Sequence, residues 1–195
     1  WELIRHSSSA AAQAAKNAAE LVVDGQTLMT HSLSSTIRLL FERLVNRNIQ
    51  AIITESRPLH EGYKLAEILS GLSIPCRLIT DAQIGLMVEE ADLVVVGADS
   101  LLSDGSLVNK AGTFLLALAA REKSVPFYVC CESFKRRSEA MKKSILEQLP
   151  PEELGAPGWP RVTVINCYFD ITPAHLISGW IDETGFVKNP CKQHV

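Results

Sequence analysis

The sequence predicts a doubly wound α/β domain with a mainly parallel, Rossmann-like sheet and helices on both faces. Three observations lead to this prediction. Short apolar runs alternate with amphipathic segments of about 10–15 residues along nearly the whole chain. The strand-like runs are continuously apolar, which is typical of parallel strands buried on both faces. The 195 residues, 47% of them hydrophobic, suffice for one sizeable core without disulfides or metals.

The predicted elements follow in a regular order. An alanine-rich helix over 2–23 stops at Asp24-Gly25, so we expect a helical arm at 1–24, the remnant of a helical domain, before an α/β domain at 25–195. Strands are predicted at 27–31, 51–56, 76–80, 92–99, 126–131 and 161–170. Helices are predicted at 33–48, 62–74, 81–91, 112–124, 136–149 and 173–185. Proline and glycine mark 150–160 as a loop.

Charge and hydropathy exclude several classes of partner. The formal net charge is -3, which argues against broad electrostatic capture of nucleic acid or of an anionic membrane. No apolar run approaches the length of a membrane-spanning helix. We therefore expect neither direct nucleic-acid binding nor membrane association.

The cysteines indicate a reducing compartment. They form no Cys-x-x-Cys pair and no Cys/His metal spacing, and most lie in strand-like segments: Cys76, Cys130, Cys131, Cys167 and Cys191. We expect buried thiols in a cytoplasmic protein, with no metal and no cofactor. The chain begins at Trp1 rather than at methionine, so we also expect it to be a fragment or a processed product.

Polar groups follow four of the predicted strands. They read THSLSST after the first strand, TESRP after the second, GAD after the fourth and CESFK after the fifth. In a doubly wound sheet, ligands bind beyond the carboxyl ends of the strands, where the strand order reverses. This convergence predicts a ligand site at that edge of the sheet.

Asp99, Asn109 and Lys110 are the first candidates for this site. Asp99 follows a buried strand, where a carboxylate either caps the next turn or faces a ligand. Asn109 and Lys110 come ten residues later and favour the functional interpretation. Lysine supplies a point charge for phosphate or carboxylate, and asparagine offers both a donor and an acceptor. Lys135 follows the fifth strand and is expected to meet the same pocket.

The THSLSST segment places hydroxyls and backbone N–H groups at the start of a helix. Such a helix start attracts anions, but ordinary N-capping by Ser34 or Ser35 explains the serines equally well. His31 is interpreted as a packed core residue, because no metal-ligand partner lies at suitable spacing. A catalytic triad of Ser32, His31 and Asp99 is disfavoured, since adjacent strand residues point to opposite faces.

Arg57 has two interpretations that the sequence does not separate. It ends a strand in TESRP, where its guanidinium would clamp a phosphate. Pairing with Glu55 or Glu61 explains it equally well.

Four segments resemble the successive signatures of one superfamily. They read TESRPLHEGYKLAEIL, GADSLLSDGSLVNKAGTFLLALAA, PFYVCCESFK and FDITPAHLISGWIDETG. The superfamily joins the alpha, beta and delta subunits of translation initiation factor 2B to two sugar-phosphate isomerases, which act on methylthioribose 1-phosphate and ribose 1,5-bisphosphate. The resemblance runs from Asp24 to Pro190, nearly the whole chain.

The resemblance assigns roles to individual residues. The isomerases transfer protons with a cysteine and with the aspartate of their GAD motif, which matches Asp99. Their substrate-contacting Asn-Lys pair matches Asn109 and Lys110, and the lysine of ESFK matches Lys135. Their cysteine is replaced here by Ser32. The residues that match their phosphate-gripping loop are Ser34, Ser35 and Thr36.

The loss of the cysteine separates two functional hypotheses. A thiol titrates near pH 8.5 and is readily tuned downward, whereas a serine hydroxyl stays protonated without a strong base. The first hypothesis is an initiation-factor-2B-like protein whose pocket binds a phosphorylated sugar or a nucleotide as a regulatory ligand. The second is a divergent aldose–ketose isomerase that uses Asp99 and another group, such as His31 or a thiol brought in by folding. The serine favours the first.

The resemblance also bears on partners. A purely structural interaction subunit with an inactive pocket is disfavoured, because Asp99, Asn109, Lys110 and Lys135 are all present. Family members assemble as dimers or larger oligomers, so a homodimer or higher homo-oligomer is implied. Protein partners in translation are implied in the same way.

Overall fold

The computed structural model of the chain describes residues 2–137, 148–156 and 158–189. Its α-helices are α1 (Glu2–Ala19), α2 (Ser35–Arg43), α3 (Glu61–Gly71), α4 (Ile84–Met87) and α5 (Thr113–Glu122). Its strands are β1 (Thr27–Thr30), β2 (Gln50–Thr54), β3 (Cys76–Ile79), β4 (Leu93–Val96), β5 (Ser100–Leu102), β6 (Leu107–Lys110), β7 (Phe127–Cys130), β8 (Arg136–Arg137), β9 (Phe169–Thr172), β10 (Gly179–Asp182) and β11 (Gly185–Lys188). Single 3₁₀ turns lie at Asp81–Gln83, Val88–Glu90, Ser133–Lys135, Pro151–Leu154 and Ala174–Leu176.

The larger sheet confirms the predicted fold class. Its seven strands have the order β11-β10-β7-β4-β1-β2-β3. Neighbours pair in parallel except β10 and β11, which form an antiparallel edge pair. Taken along the chain, the parallel strands follow the order 3-2-1-4-5-6 of a doubly wound fold. The strand order therefore reverses between β1 and β4.

A second, four-stranded sheet lies beyond the end of β4. Its order is β8-β5-β6-β9, and its centre is the antiparallel hairpin of β5 and β6. Antiparallel pairing with β9 places Asn109 opposite Asp170 and Lys110 opposite Phe169. This hairpin was not predicted, because the strands on either side of Asp104-Gly105 are only three and four residues long.

The C-terminal part of the chain departs from the prediction. The strand predicted at 161–170 begins only at Phe169 and belongs to the second sheet, while Val162 and Ile165 lie exposed before it. The helix predicted at 173–185 is wrong: a 3₁₀ turn and then β10 occupy this stretch. A short apolar run does not distinguish a buried strand from a helix. Gly179 allows the ring of Phe186 on β11 to lie against the β10 backbone, where a Cβ would be 2.5 Å from Cε2.

The predicted helix at 136–149 falls mostly outside the described residues. Its first two residues form β8 instead of a helical turn. The predicted helix at 81–91 is divided into α4 and the 3₁₀ turns on either side of it. Within the described residues, no helix combines the length and the apolar character needed to cross a membrane.

Helix α1 packs against the α/β core. Ala14, Ala15 and Ala18 are buried in the same apolar cluster as Leu40 and Phe41 of α2. Their small side chains let the two helix backbones approach closely, which explains the alanine-rich composition of this segment. The division of the chain into an arm and a domain at residue 24 stays a prediction.

Asp170 of β9 holds the start of α5. Its Oδ2 atom accepts hydrogen bonds from the backbone N–H groups of Gly112, at 2.7 Å, and Phe114, at 3.0 Å. Its Oδ1 atom is buried and has no hydrogen-bond partner among the described residues. Burial raises the pKa of Asp170 to about 6, although the two N–H groups act in the opposite direction.

Gly62 permits the close contact between α3 and the carboxyl end of β2. A Cβ at this position would lie 1.8 Å from the carbonyl oxygen of Thr54. No such restriction holds at Gly71 in the same helix, where a Cβ would meet nothing within 4 Å. Packing therefore requires a glycine at position 62 but not at position 71.

The two glycines therefore predict opposite effects of the same substitution. Gly62→Ala is expected to lower the free energy of unfolding by about 3 kcal/mol or more, because backbone must move to relieve the overlap. Gly71→Ala is expected to raise it by up to about 1 kcal/mol, since alanine favours the helix. Urea denaturation of both variants measures these changes. A tolerated Gly62→Ala would contradict the close contact.

Asp170 predicts a specific pH dependence of stability. Because its folded pKa is raised above the unfolded value, this group's contribution to stability falls as pH rises from about 4 through 6, and is constant above that range. Asp170→Asn removes this dependence. The stability of the variant relative to wild type should rise by up to about 3 kcal/mol between pH 4 and pH 8. If the difference in stability between Asp170→Asn and wild type is the same at pH 4 and at pH 8, the raised pKa of Asp170 is wrong.

Candidate functional site

A cavity of about 380 Å³ opens beyond the carboxyl ends of β1 and β4. This is the point where the strand order reverses, as the sequence predicted for the ligand site. The cavity is lined by His31, Ser32, Leu33, Ser34, Ser35, Leu59, Glu61, Gly97, Ala98, Asp99, Asn109, Lys110, Lys135, Tyr168 and Phe169. Most of the predicted site residues are therefore brought together.

The loop from β1 to α2 forms one side of the cavity. Ser34 is the N-cap of α2, and its Oγ accepts a hydrogen bond of 3.1 Å from the N–H of Ile37. Gly97 lets this loop lie on the end of β4, because a Cβ there would be 2.5 Å from Ser34 Oγ. Ser34 and Ser35 also line the cavity, so the positive end of the α2 dipole lies at its wall.

Two of the predicted ligand residues lie away from the cavity. Thr36 is fully buried in α2, and no hydrogen bond joins its hydroxyl to any residue that the structure describes. Arg57 donates from Nη2 to the carbonyl oxygen of Leu154 at 3.1 Å, and its backbone N–H donates to Asp81 at 2.8 Å. Neither side chain is among the residues that line the cavity. The pairing proposed for Arg57 with a neighbouring glutamate is also not observed.

The second sheet supplies the opposite side. Lys110 on β6 is 5% exposed, and its ammonium lies 2.6 Å from Glu61 Oε1 and 4.4 Å from the centre of the Tyr168 ring. Asn109 is also buried and donates from Nδ2 to Thr113 Oγ1 at 3.0 Å. The β6–β9 pairing thus positions both residues of the predicted Asn-Lys pair.

Both cavity lysines are already paired with carboxylates. Lys110 pairs with Glu61, and Lys135 lies 3.0 Å from Oε2 of the buried Glu132. With Asp99 added, the carboxylates around the cavity outnumber the ammonium groups. The lysines therefore offer less net attraction to an anion than their number suggests, and the N-terminus of α2 becomes the more important anion-attracting feature.

Asp99 differs from the other carboxylates. No hydrogen bond or ion pair joins its side chain to another residue in the described part of the chain. Loss of hydration raises the pKa of Asp99, and the positive charges of Lys135 and Lys110 oppose this shift. A carboxyl group with free lone pairs and a raised pKa is suited to accept a ligand hydrogen bond or to transfer a proton.

His31 is the packed residue that the sequence predicted. It is 1% exposed, and its ring nitrogens contact Thr54 Oγ1 at 2.6 Å and the carbonyl oxygen of Ala111 at 2.9 Å. Burial lowers the pKa of His31, against the raising effect of Asp81. Because both nitrogens are occupied, the imidazole has no free atom with which to act as a base.

Sequence reasoning missed part of the cavity wall. Glu61 starts α3 just after TESRP, so its position beyond a strand end was a usable signal. Tyr168 and Phe169 arrive with β9, from a segment that was assigned to the wrong sheet. The Tyr168 hydroxyl donates to Glu153, which also accepts from Asn166 Nδ2. Across the described ranges, no group of three or more His, Cys, Asp or Glu side chains is placed to hold a metal ion.

Comparison with known proteins agrees with this architecture. The sequence pattern that defines the initiation factor 2 subunit family matches residues 1–189 of this chain. A putative translation initiation factor eIF-2B subunit 2-like protein of Pyrococcus furiosus is 39% identical over 192 residues, covering 97% of this chain and 67% of that protein. A ribose 1,5-bisphosphate isomerase of Methanocaldococcus jannaschii is 34% identical over 194 residues, covering 95% of this chain and 62% of the isomerase.

Two solved structures share the fold. The translation initiation factor eIF-2B of Pyrococcus horikoshii OT3 has a TM-score of 0.85 and 37% identity, over 97% of this chain and 68% of that one. The 5-methylthioribose 1-phosphate isomerase of the same organism has a TM-score of 0.84 and 25% identity, over 96% of this chain and 58% of the isomerase. The resemblance of the four sequence segments is thus confirmed, and the chain belongs to the initiation factor 2 subunit family.

Proposed function

We propose that the chain is an initiation-factor-2B-like cytoplasmic protein whose cavity binds a phosphorylated sugar as a regulatory ligand. One observation carries the proposal: the start of α2 and the side chains of Asp99, Asn109, Lys110 and Lys135 border one cavity. Groups that suit a phosphate and groups that suit hydroxyls or a carbonyl therefore lie within reach of one small molecule.

The arrangement of charge favours one orientation of this ligand. A phosphate is best placed at the start of α2, where backbone N–H groups and the hydroxyl of Ser35 are available. The sugar hydroxyls then face Asp99 and Asn109, whose oxygens accept hydrogen bonds, and the ammonium groups of Lys110 and Lys135 donate.

The size of the cavity favours a sugar phosphate over a nucleotide. Its volume of about 380 Å³ is near the lower end of the range of about 300–1,000 Å³ for small-molecule sites. A phosphopentose suits such a volume, whereas a nucleotide adds a base to the same sugar and phosphate and needs more space.

Ser32 supports a regulatory rather than a catalytic role. It stands where the resembling isomerases carry a cysteine, and a hydroxyl transfers protons poorly without a base. The neighbouring His31 has both ring nitrogens engaged. The proposed ligand is therefore bound without the standard isomerisation.

Asp99 favours a second candidate function. Its carboxyl group lines the cavity and has a raised pKa, as a residual proton-transfer group would. A divergent aldose–ketose isomerase of phosphorylated pentoses is the activity that this residue suits.

We also propose that the chain forms a homodimer or a higher homo-oligomer and has protein partners in translation. Leu86 on α4 and Leu115 and Leu118 on α5 are exposed on two helices that contact each other. Exposed apolar side chains on contacting helices suit a protein interface.

Ligand binding is tested by thermal shift with ribose 1,5-bisphosphate and methylthioribose 1-phosphate. At 100-fold above Kd, wild type should gain about 2.7 kcal/mol of stability. Lys110→Met and Asp99→Ala should abolish this gain, because each removes a polar group of the cavity. Lys64→Met on the exposed face of α3 is the matched control and should retain it. An equal shift in Lys110→Met and Lys64→Met would place the ligand elsewhere.

Substitution of Ser32 tests the absence of turnover. Wild type should give no ketose above the uncatalysed background from either sugar phosphate, while Ser32→Cys introduces a titratable thiol into the cavity that Asp99 also lines. General acid–base catalysis contributes about 10²–10⁴-fold, so Ser32→Cys should exceed the uncatalysed background by at least about 10²-fold. Product is followed by NMR. Turnover by wild type that Asp99→Ala abolishes would replace the regulatory proposal with the divergent isomerase.

A further inference from the structure

A chain of hydrogen bonds links one side of the cavity to the other. It begins at the carbonyl oxygen of Ala111, next to Lys110, and passes through His31, Thr54 and Ser56. It ends at the backbone N–H of Ser32, which donates to Ser56 Oγ at 2.7 Å. The two ends of this chain belong to the two sides of the cavity.

The donor and acceptor chemistry gives the chain one direction. A carbonyl oxygen only accepts, so Nε2 of His31 must carry the proton that binds Ala111. In the neutral ring, Nδ1 then accepts from the hydroxyl of Thr54. The Thr54 Oγ1 atom is then left to accept, and the single proton of Ser56 Oγ is shared between Thr54 Oγ1, at 3.0 Å, and the carbonyl oxygen of Thr54, at 3.2 Å.

The backbone at both serines is held in an uncommon conformation. Ser32 has a φ of 65° and Ser56 a φ of 61°, in the left-handed region that costs a residue with a side chain about 1 kcal/mol or more. Asp81 holds the second of these turns, because its two carboxylate oxygens accept from the N–H groups of Ser56 and Arg57 at 2.8 Å each. The Ser56 hydroxyl in turn accepts the hydrogen bond from the Ser32 N–H and so restrains the backbone at Ser32.

The other end of the chain is equally restricted. Gly112 has a φ of 110°, and a Cβ at this position would lie 2.8 Å from Cε1 of His31. The imidazole therefore packs directly on the turn between Lys110 and α5. This contact and the hydrogen bond to Ala111 fix where β6 ends relative to β1.

We propose that His31, Thr54 and Ser56 are positioning residues that set the spacing between the Ser32–Ser35 side of the cavity and the Asn109–Lys110 side. None of them needs to touch the ligand for this role. For ligand affinity the inference rests on the proposed function. The coupling between the two sides is a property of the protein without ligand.

NMR of the unliganded protein tests the coupling directly. The ¹⁵N shifts of His31 should show protonated Nε2 and unprotonated Nδ1 near pH 7. Thr54→Val keeps the shape of the side chain and removes its hydroxyl, and should move the amide resonances of both Ser32 and Gly112. Thr54→Ser retains the hydroxyl and should leave both near their wild-type positions. The amide of Gly71 is the distant control.

The affinity for ribose 1,5-bisphosphate shows whether this coupling affects ligand binding. Thr54→Val should raise Kd by up to about 10-fold, because restoring the wild-type spacing on binding costs at most the free energy of one neutral hydrogen bond. Thr54→Ser should stay within about 3-fold of wild type. The opposite tautomer of His31, or movement of only one of the two amides in Thr54→Val, would overturn the inference. If wild type binds neither sugar phosphate, the proposed function fails, and the NMR comparison still decides the coupling.

Discussion

The parallel pairing of β1 with β4 is the constraint on which the cavity depends. Leu28 pairs with Leu93 and Met29 with Val94, while the chain leaves the two strands toward opposite halves of the sheet. The loops that follow must diverge, and a space opens between them. Gly97 then allows Ser34 to lie on the end of β4. Backbone topology thus creates the cavity, and small residues determine how closely its walls approach.

The charges in the cavity are arranged as pairs rather than as a positive patch. Glu61 and Glu132 each lie against a lysine, which lowers the cost of burying ammonium groups in the absence of a ligand. Such pairing also keeps the lysine side chains in place, so that a ligand meets oriented donors. In the described part of the chain, Asp99 has no comparable partner, so its carboxylate is less restrained than those of Glu61 and Glu132.

The family contains proteins with different activities on one fold. Relatives of this chain include eIF-2B subunit-like proteins and isomerases of ribose 1,5-bisphosphate and methylthioribose 1-phosphate. A shared sheet and cavity do not decide among such activities, because chemistry depends on individual side chains at the strand ends. In this chain Ser32 and the fully bonded His31 are the side chains that bear most on that question.

The sequence by itself determined the fold class, the edge of the sheet where the cavity lies, and the candidates Ser32, Ser34, Ser35, Asp99, Asn109, Lys110 and Lys135. Most of these follow from local patterns: continuous apolar strands, and polar residues where strands end. Ser32 is a candidate through the family resemblance alone. Only the tertiary structure decided the positions of Thr36 and Arg57, the hairpin of β5 and β6, and the strand at Gly179–Asp182. The tertiary structure also decided that Glu61 and Tyr168 lie against Lys110. The physical reason is that these outcomes depend on pairing and packing between segments far apart in the chain, which no local pattern encodes.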